Sequence, residues 1–236
     1  YPQVALRNGA AHVLAVGDIV EPVTEWKKWK FEASGGRKWD YVFRRLFYVS
    51  NPAVDTRQFG GILEIANVDQ TAGHITNLDM WLAGDGSIQL LYLVRTVTSR
   101  AMRDRFFPGV RLTRTLERCI IRDGRVAFRQ TVLTGDEDRG DELPSWARFH
   151  ATSKGRLYVL ASTRSQATGK DVAGIRLLEL TSETDPPIET RVNLNHPFVN
   201  FMTATERGGT RPSNTIDVIG LTASEPNVIR YACIEL

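Results

Sequence analysis

Three of the four histidines in this 236-residue chain fall in, or just ahead of, runs rich in β-branched and aromatic residues. His74 lies in Gly73-His-Ile-Thr-Asn-Leu-Asp-Met-Trp-Leu82, His150 closes Trp146-Ala-Arg-Phe-His150, and His196 precedes the run from Phe198 to Thr205. Imidazole is the side chain whose ordinary pKa lies near neutrality, so it can take up and return a proton at working pH. The same runs carry Asn77, Asp79, Arg148 and Asn200, which can converge if the runs lie side by side. A guanidinium beside an imidazole can neutralise an acid group and lower the cost of charge that develops next to it. The chemistry these groups could do is proton transfer, with His74, His150 and His196 as the candidate groups and Arg148 as a cation among them. Tyr92 is a weaker acid candidate, and His12 reads as structural.

Two long connections supply further groups. Gly17 to Asp40 holds Trp26, Trp29, Phe31 and Trp39 among Lys27, Lys28, Lys30, Arg37 and Lys38, balanced by Asp18, Glu21, Glu25, Glu32 and Asp40. Its stretch Trp26 to Phe31 alternates imperfectly, which suggests an extra hairpin with residues 38–49. Arg95 to Arg111 holds Arg95, Arg100, Arg103, Arg105 and Arg111 against only Asp104, beside Phe106-Phe107-Pro108. Guanidinium groups next to aromatic faces suit carboxylates or sulfates on a stacked sugar ring, or phosphates between stacked bases. Trp29, Trp39, Arg103 and Arg105 therefore join Asn77, Asp79 and Asn200 as substrate-contact candidates. Solvated salt bridges to neighbouring loops are the alternative reading for each arginine.

The elements that must position these groups repeat. Residues 73–135 contain four strand-like runs, His74 to Leu82, Ser87 to Val94, Leu112 to Ile121 and Arg125 to Leu133, with hairpin turns at Gly84-Asp-Gly86 and Asp123-Gly124. Asp-Gly flanked by β-branched runs is a hairpin signature. Divergent copies occupy roughly 1–70 and 144–195, with turns at Asn8-Gly9 and Lys154-Gly155, and a last copy at 196–236 turns at Gly208-Gly209 and lacks its fourth strand. A period of about 40 to 60 residues with four strands per copy is that of a radial β-propeller. The fold expected is an all-β propeller of about four four-stranded antiparallel blades, the last without its outer strand. An open radial sheet leaves an unpaired edge, so the chain reads as the C-terminal part of a longer propeller. A closed four-bladed ring is the alternative. The long connections and the starts of the first strand in each copy share one face of the disc, where binding sites usually sit.

Composition bounds the remaining classes. With 42% hydrophobic and 24% charged residues the chain is ordinary globular material. It has no run of 18 apolar residues, so no membrane span is expected. The net charge of +3 is small, and no recognition fold matches, so nucleic acid is not the expected partner. Cys119 and Cys233 fall in the third strands of alternate copies, too far apart for a disulfide, and both are expected as buried thiols. No Cys and His spacing resembles a zinc site and no calcium-loop spacing is recognisable, so no cofactor is expected, and a structural calcium in a loop stays open as the alternative.

The stretches Tyr1-Pro-Gln-Val-Ala-Leu-Arg-Asn-Gly-Ala-Ala-His-Val-Leu and Ser145-Trp-Ala-Arg-Phe-His-Ala-Thr-Ser-Lys-Gly-Arg-Leu-Tyr-Val-Leu resemble the repeat of the sialidase-like, BNR-type propeller superfamily. Gly73 to Leu82 is similar to the inner strands of such proteins. That family includes sialidases and other glycosidases, propeller-type polysaccharide lyases and non-catalytic relatives. The resemblance implies a carbohydrate-active or carbohydrate-binding propeller with an anionic polysaccharide as partner, and a secreted or periplasmic location. The sialidase Asp-box is absent: Ala83-Gly-Asp-Gly-Ser-Ile lacks its Thr-Trp. A lyase with a His base and an Arg neutraliser fits better, with a sialidase-like hydrolase and a non-catalytic binding propeller as the rival readings.

Overall fold

Asn8 and Gly9 both adopt positive φ, 50° and 77°, as do Asp123 and Gly124, at 49° and 69°. Two consecutive left-handed residues make the type I′ turn whose twist matches that of the strands it joins. The first of these hairpins opens blade 1 and the second closes blade 2 of the computed structural model, which describes residues 2–37, 40–165, 172–206, 209–225 and 227–236. Tyr1, Lys38, Trp39 and Gly208 lie outside the described residues.

Blade 1 consists of β1 (Gln3–Arg7), β2 (Ala10–Val16), β5 (Arg45–Asn51) and β6 (Leu63–Asn67). Its long connection holds β3 (Ile19–Val20), helix α1 (Thr24–Ala33) and β4 (Tyr41–Val42). Blade 2 is β7 (His74–Leu82), β8 (Ile88–Arg95), β9 (Thr113–Arg122) and β10 (Arg125–Asp136), with helix α2 (Arg100–Phe106) between β8 and β9. Blade 3 is β11 (Leu143–Ala151), β12 (Leu157–Ser165), β13 (Val172–Glu179) and β14 (Ile188–Thr190). Blade 4 has three strands, β15 (Phe198–Thr203), β16 (Thr215–Thr222) and β17 (Ile229–Glu235). All pairings are antiparallel. The all-β, four-bladed architecture and the three-stranded last blade agree with the expectation.

The blades are held face to face by three apolar cores. Leu14, Leu46 and Tyr48 of blade 1 pack on Met80, Leu90 and Ile121 of blade 2. Leu78, Leu91, Leu93 and Leu116 of blade 2 meet Phe149, Val159 and Leu178 of blade 3. Leu160 and Leu177 of blade 3 meet Phe198, Phe201, Ile216 and Val218 of blade 4. A strand in an inner blade is covered on both faces, which is why Ile88 to Leu93 is an unbroken buried run rather than an alternating one.

Bulges recur on the inner strands. Register shifts between Asn77 and Asp79, Pro144 and Trp146, and Phe198 and Asn200 leave Leu78, Ser145 and Val199 as extra residues. A bulge removes a carbonyl from the ladder, and side chains of neighbouring blades use it. The Leu78 carbonyl accepts from the Gln3 amide and the Arg148 guanidinium, and the Val199 carbonyl accepts from Ser162 Oγ at 3.3 Å.

Two expectations are corrected. Trp26 to Phe31 forms helix α1, not a hairpin: Trp26 and Trp29 are three residues apart, so they share one face, and that face packs on Phe106 and Phe107. Cys119 is buried as expected, but Cys233 is exposed, because the face of blade 4 that carries it has no blade against it.

Candidate functional site

The register of blade 2 builds one row across three strands. His74 of β7 pairs with Arg95 of β8, and Arg95 pairs with Arg114 of β9. Directly opposed residues in antiparallel strands share a face, with Cβ atoms about 5 Å apart. The row sits at the start of β7, the end of β8 and the start of β9, on the face from which the long connections leave. Gly73 sets its position: a Cβ there would lie 2.5 Å from the Arg95 carbonyl oxygen and 2.8 Å from Val68 Cβ.

Two cavities, of about 270 and 350 Å³, share Arg95 and Arg114. The first is lined also by His74, Thr76, Thr98 and the bulge residue Ser145. The second adds Arg100, Glu137, Asp141 and Arg164. Ser145 Oγ is within 2.8 Å of Ser162 Oγ, which fixes the rim on the blade 3 side.

Charge in this cleft is unbalanced. Arg95 Nη2 donates to Glu137 Oε1 at 2.8 Å, while Arg114 Nη2 stands 3.7 Å from the same oxygen. Arg95 Nε is buried with no partner among the described residues. Three other arginines of the loop are closely paired: Arg100 and Arg103 lie 2.5 and 2.7 Å from Asp138, and Arg111 lies 2.6 Å from Asp136. Bonds from Arg103, ahead of the burial that opposes them, hold the Asp138 carboxyl down at about 2.

Burial holds the His74 imidazole below its ordinary pKa, and the neighbouring charges of Arg95, Arg114 and Lys30 push it further down. The ring packs edge-on against Phe43, centroids 5.5 Å apart. It is held neutral with a lone pair available, and an anion that offsets the two cations would ease its protonation. Burial, then Arg95, also lowers the Arg114 pKa against the pull of Glu137: its charge is uncomfortable until an anion arrives. The arrangement sets a neutral imidazole beside two guanidinium groups that can hold an anionic group. Among the described residues no group of three His, Cys, Asp or Glu could hold a metal ion.

The remaining sequence candidates lie away from this row, with Asp79 and His150 together at a second, smaller cavity that Trp81, Glu206 and Arg211 also line. His150 Nε2 lies 2.8 Å from the Ser213 carbonyl oxygen, at the far end of β11; burial lowers its pKa against that bond. His196 is exposed, its Nδ1 3.1 Å from Ser224 Oγ. The Arg148 guanidinium is buried between the Leu78 carbonyl and the Trp146 ring, 4.7 Å from the ring centroid. Asp79 accepts from the Met80 and Phe149 amides, each at 2.9 Å, and so ties blade 2 to blade 3. Asn77 is buried in β7, and Asn200 is exposed on β15. Trp29 stands edge-on to Phe106 at 5.7 Å, and Arg105 lies over the other side of that cluster, 5.4 Å from the Phe106 centroid. Trp39 lies outside the described residues. Tyr92 belongs to the core between blades 1 and 2, and burial pushes its hydroxyl up to about 12. Of the candidate bases, His74 is the one that lines the cavity with Arg95 and Arg114. The sequence analysis does not single out Arg114 and Arg164, because their placement follows from register: Arg114 meets Arg95 through the pairing of β8 with β9, which a long connection joins and no short turn fixes.

No protein-family model and no curated protein sequence matches the chain. Among solved structures it is similar to an endo-arabinase from Bacteroides thetaiotaomicron VPI-5482, at 9% identity and a TM-score of 0.48, over 100% of this chain and 74% of that one. It is also similar to the catalytic domain of a GH62 alpha-L-arabinofuranosidase from Coprinopsis cinerea, at 11% identity and a TM-score of 0.33, over 98% of this chain and 88% of that one. Likenesses this distant do not transfer chemistry, so the function rests on this chain's own residues.

Proposed function

We propose that the chain is a carbohydrate-active propeller that takes an acidic polysaccharide in the blade 2 to blade 3 cleft and cleaves it by elimination. The observation that supports this is the His74–Arg95–Arg114 row, in which two adjacent cations share one carboxylate, Glu137. Arg95 and Arg114, rather than the interior Arg148, neutralise the uronate carboxylate. That neutralisation makes the adjacent C5 proton removable, because the enolate-like charge develops against fixed guanidinium groups. His74 Nδ1 or Nε2 takes the proton; the C5–H electron pair becomes the C4–C5 double bond as the C4–oxygen bond breaks. The leaving oxygen is protonated from the imidazolium or from water. Glu137 holds the Arg95 fork in place. A polymer substrate of this kind puts the working compartment in the periplasm or the medium.

One observation favours hydrolysis instead. Glu137 and Asp141 line the same cavity, and a glycosidase needs two carboxylates across the scissile bond. An assay on polyuronates and sialylated glycans, following near-ultraviolet absorbance and reducing ends together, separates the readings. Absorbance rising with reducing ends supports elimination, and reducing ends alone support hydrolysis. Neither signal, with retained affinity for the acidic glycan, leaves a binding propeller.

A further inference from the structure

Among the described residues three interblade cores join four blades, which leaves two blade faces with no sheet against them. On blade 1, Val4, Val13 and Val49 form a row in register across β1, β2 and β5, with Leu6 beside it 73% exposed. On blade 4, Met202, Ile219 and Tyr231 form the matching row across β15, β16 and β17, at 56%, 51% and 65% exposure. Rows of this kind are what the occupied interfaces bury: Leu14 opposite Tyr48 within the first core is one. Blade 4 reaches toward blade 1 near the axis through the segment around Glu206 and Thr210 to Pro212, which lines a cavity with Ala5, Leu6 and Arg7. The sheet faces further out stay bare. Exposed apolar side chains in register across three strands mark an interaction surface.

We propose that a further antiparallel β-blade of the same polypeptide, apolar on both faces, seats between blade 4 and blade 1 and closes the ring. The occupant is inferred from continuity with the existing interfaces. The two bare faces flank one gap, each presents a three-strand apolar row of the type that accepts a blade elsewhere in the molecule, and one sheet with two apolar faces satisfies both. A second copy of this chain would have to offer the same two faces to each other, and a single copy can fill only one of the two.

Cys233 provides the probe, because it lies on the bare face two residues from Tyr231 and is exposed, whereas Cys119 is buried and serves as the internal reference. In the 236-residue chain alone, a maleimide reagent labels Cys233 roughly tenfold or more faster than Cys119, independent of protein concentration. In the polypeptide as its source cell makes it, isolated through a C-terminal tag, the intact mass exceeds that of residues 1–236 and Cys233 is as slow as Cys119. A natural product with freely labelled Cys233 overturns the proposal, whatever its mass, and so does one equal in mass to residues 1–236. Protection of Cys233 in the 236-residue chain that grows with its concentration overturns it in favour of a second copy. Ile219→Lys keeps the test readable if labelling is confounded: it leaves the melting of the 236-residue chain unchanged and lowers that of the natural product. Equal effects on both would contradict a covered face.

Discussion

Replacing Arg114 by Gln should make the free protein more stable while making it a worse binder. Arg95 and Arg114 are directly opposed on β8 and β9, and like charges in that relation cost up to about 1 kcal/mol. Against this stands the 3.7 Å approach of Arg114 to Glu137, a contact longer than a hydrogen bond, between partly exposed side chains and worth a few tenths of a kcal/mol. Glu137 keeps Arg95 at 2.8 Å in either case. The net gain is about 0.5 kcal/mol, which for a chain of this size raises Tm by roughly 1–2 °C. Salt should erase the difference, since it screens the repulsion in the wild type and finds none in the variant. Binding moves the other way: losing one charge-assisted bond to the acid group costs about 1.5–3 kcal/mol, or roughly 10- to 100-fold in affinity. Calorimetric melting at low and high salt, with titration of an oligouronate, measures both. A Tm that falls by several degrees with affinity unchanged would make Arg114 a structural residue and remove the reasoning about an unmatched pair.

Further outcomes follow from the same geometry. His74→Gln should keep the melt of the wild type and reduce turnover by roughly 10²- to 10⁴-fold. Because burial and the nearby cations keep His74 neutral, wild-type activity should persist below the ordinary histidine range and fall only as the imidazole protonates; Arg95→Gln, which removes one repelling charge, should shift that acid limb to higher pH in a pH–rate profile. Glu21→Gln should cost about 3 kcal/mol, a Tm drop of roughly 6–12 °C, because the buried Glu21 carboxylate accepts from Arg44 at 2.5 and 3.0 Å and from Lys30 at 2.6 Å. Burial raises the Glu21 pKa, yet the bonds from Arg44 and Lys30 outweigh it and leave it below its ordinary value, so its contribution is present above the unfolded carboxyl pKa and lost as pH falls through the folded one; urea titrations from neutral to acid pH should show that loss in the wild type and not in Glu21→Gln. Gly73→Ala, whose Cβ would press on the Arg95 carbonyl and Val68, should destabilise by about 1–3 kcal/mol and reduce turnover by displacing His74, read by melting and activity together.

The strands were legible because β-branched runs and Gly-containing turns report locally on hairpins: Asn8-Gly9 and Asp123-Gly124 carry the positive φ that their residue types favour. Helix α1 was not, since Trp26 to Phe31 was read for alternation although Trp26 and Trp29 are three apart and Lys28 and Glu32 four apart, the spacings of a helix face. For α2 the signal was Ser99, whose Oγ accepts the Met102 amide at 3.1 Å as an N-cap. The site was half visible. His74 stood out as a titratable residue at a strand start, and the loop arginines as an excess of one charge. Sequence could not show that Asp136 and Asp138 pair with Arg111, Arg100 and Arg103, or that Arg95 and Arg114 would share Glu137. That depends on which carboxylates the β10 to β11 connection brings back to the face. Arg148 and Asp79 looked like channel groups, but the bulge at Leu78 turns them into ties between blades.

The most direct test of the central claim is isothermal titration of an oligouronate, beside its neutral counterpart of equal length, into the wild type and Arg114→Gln. The account predicts saturable binding of the acidic sugar alone to the wild type, weakened roughly 10- to 100-fold in the variant. Equal binding of acidic and neutral sugars, or of the acidic sugar to both proteins, would contradict it.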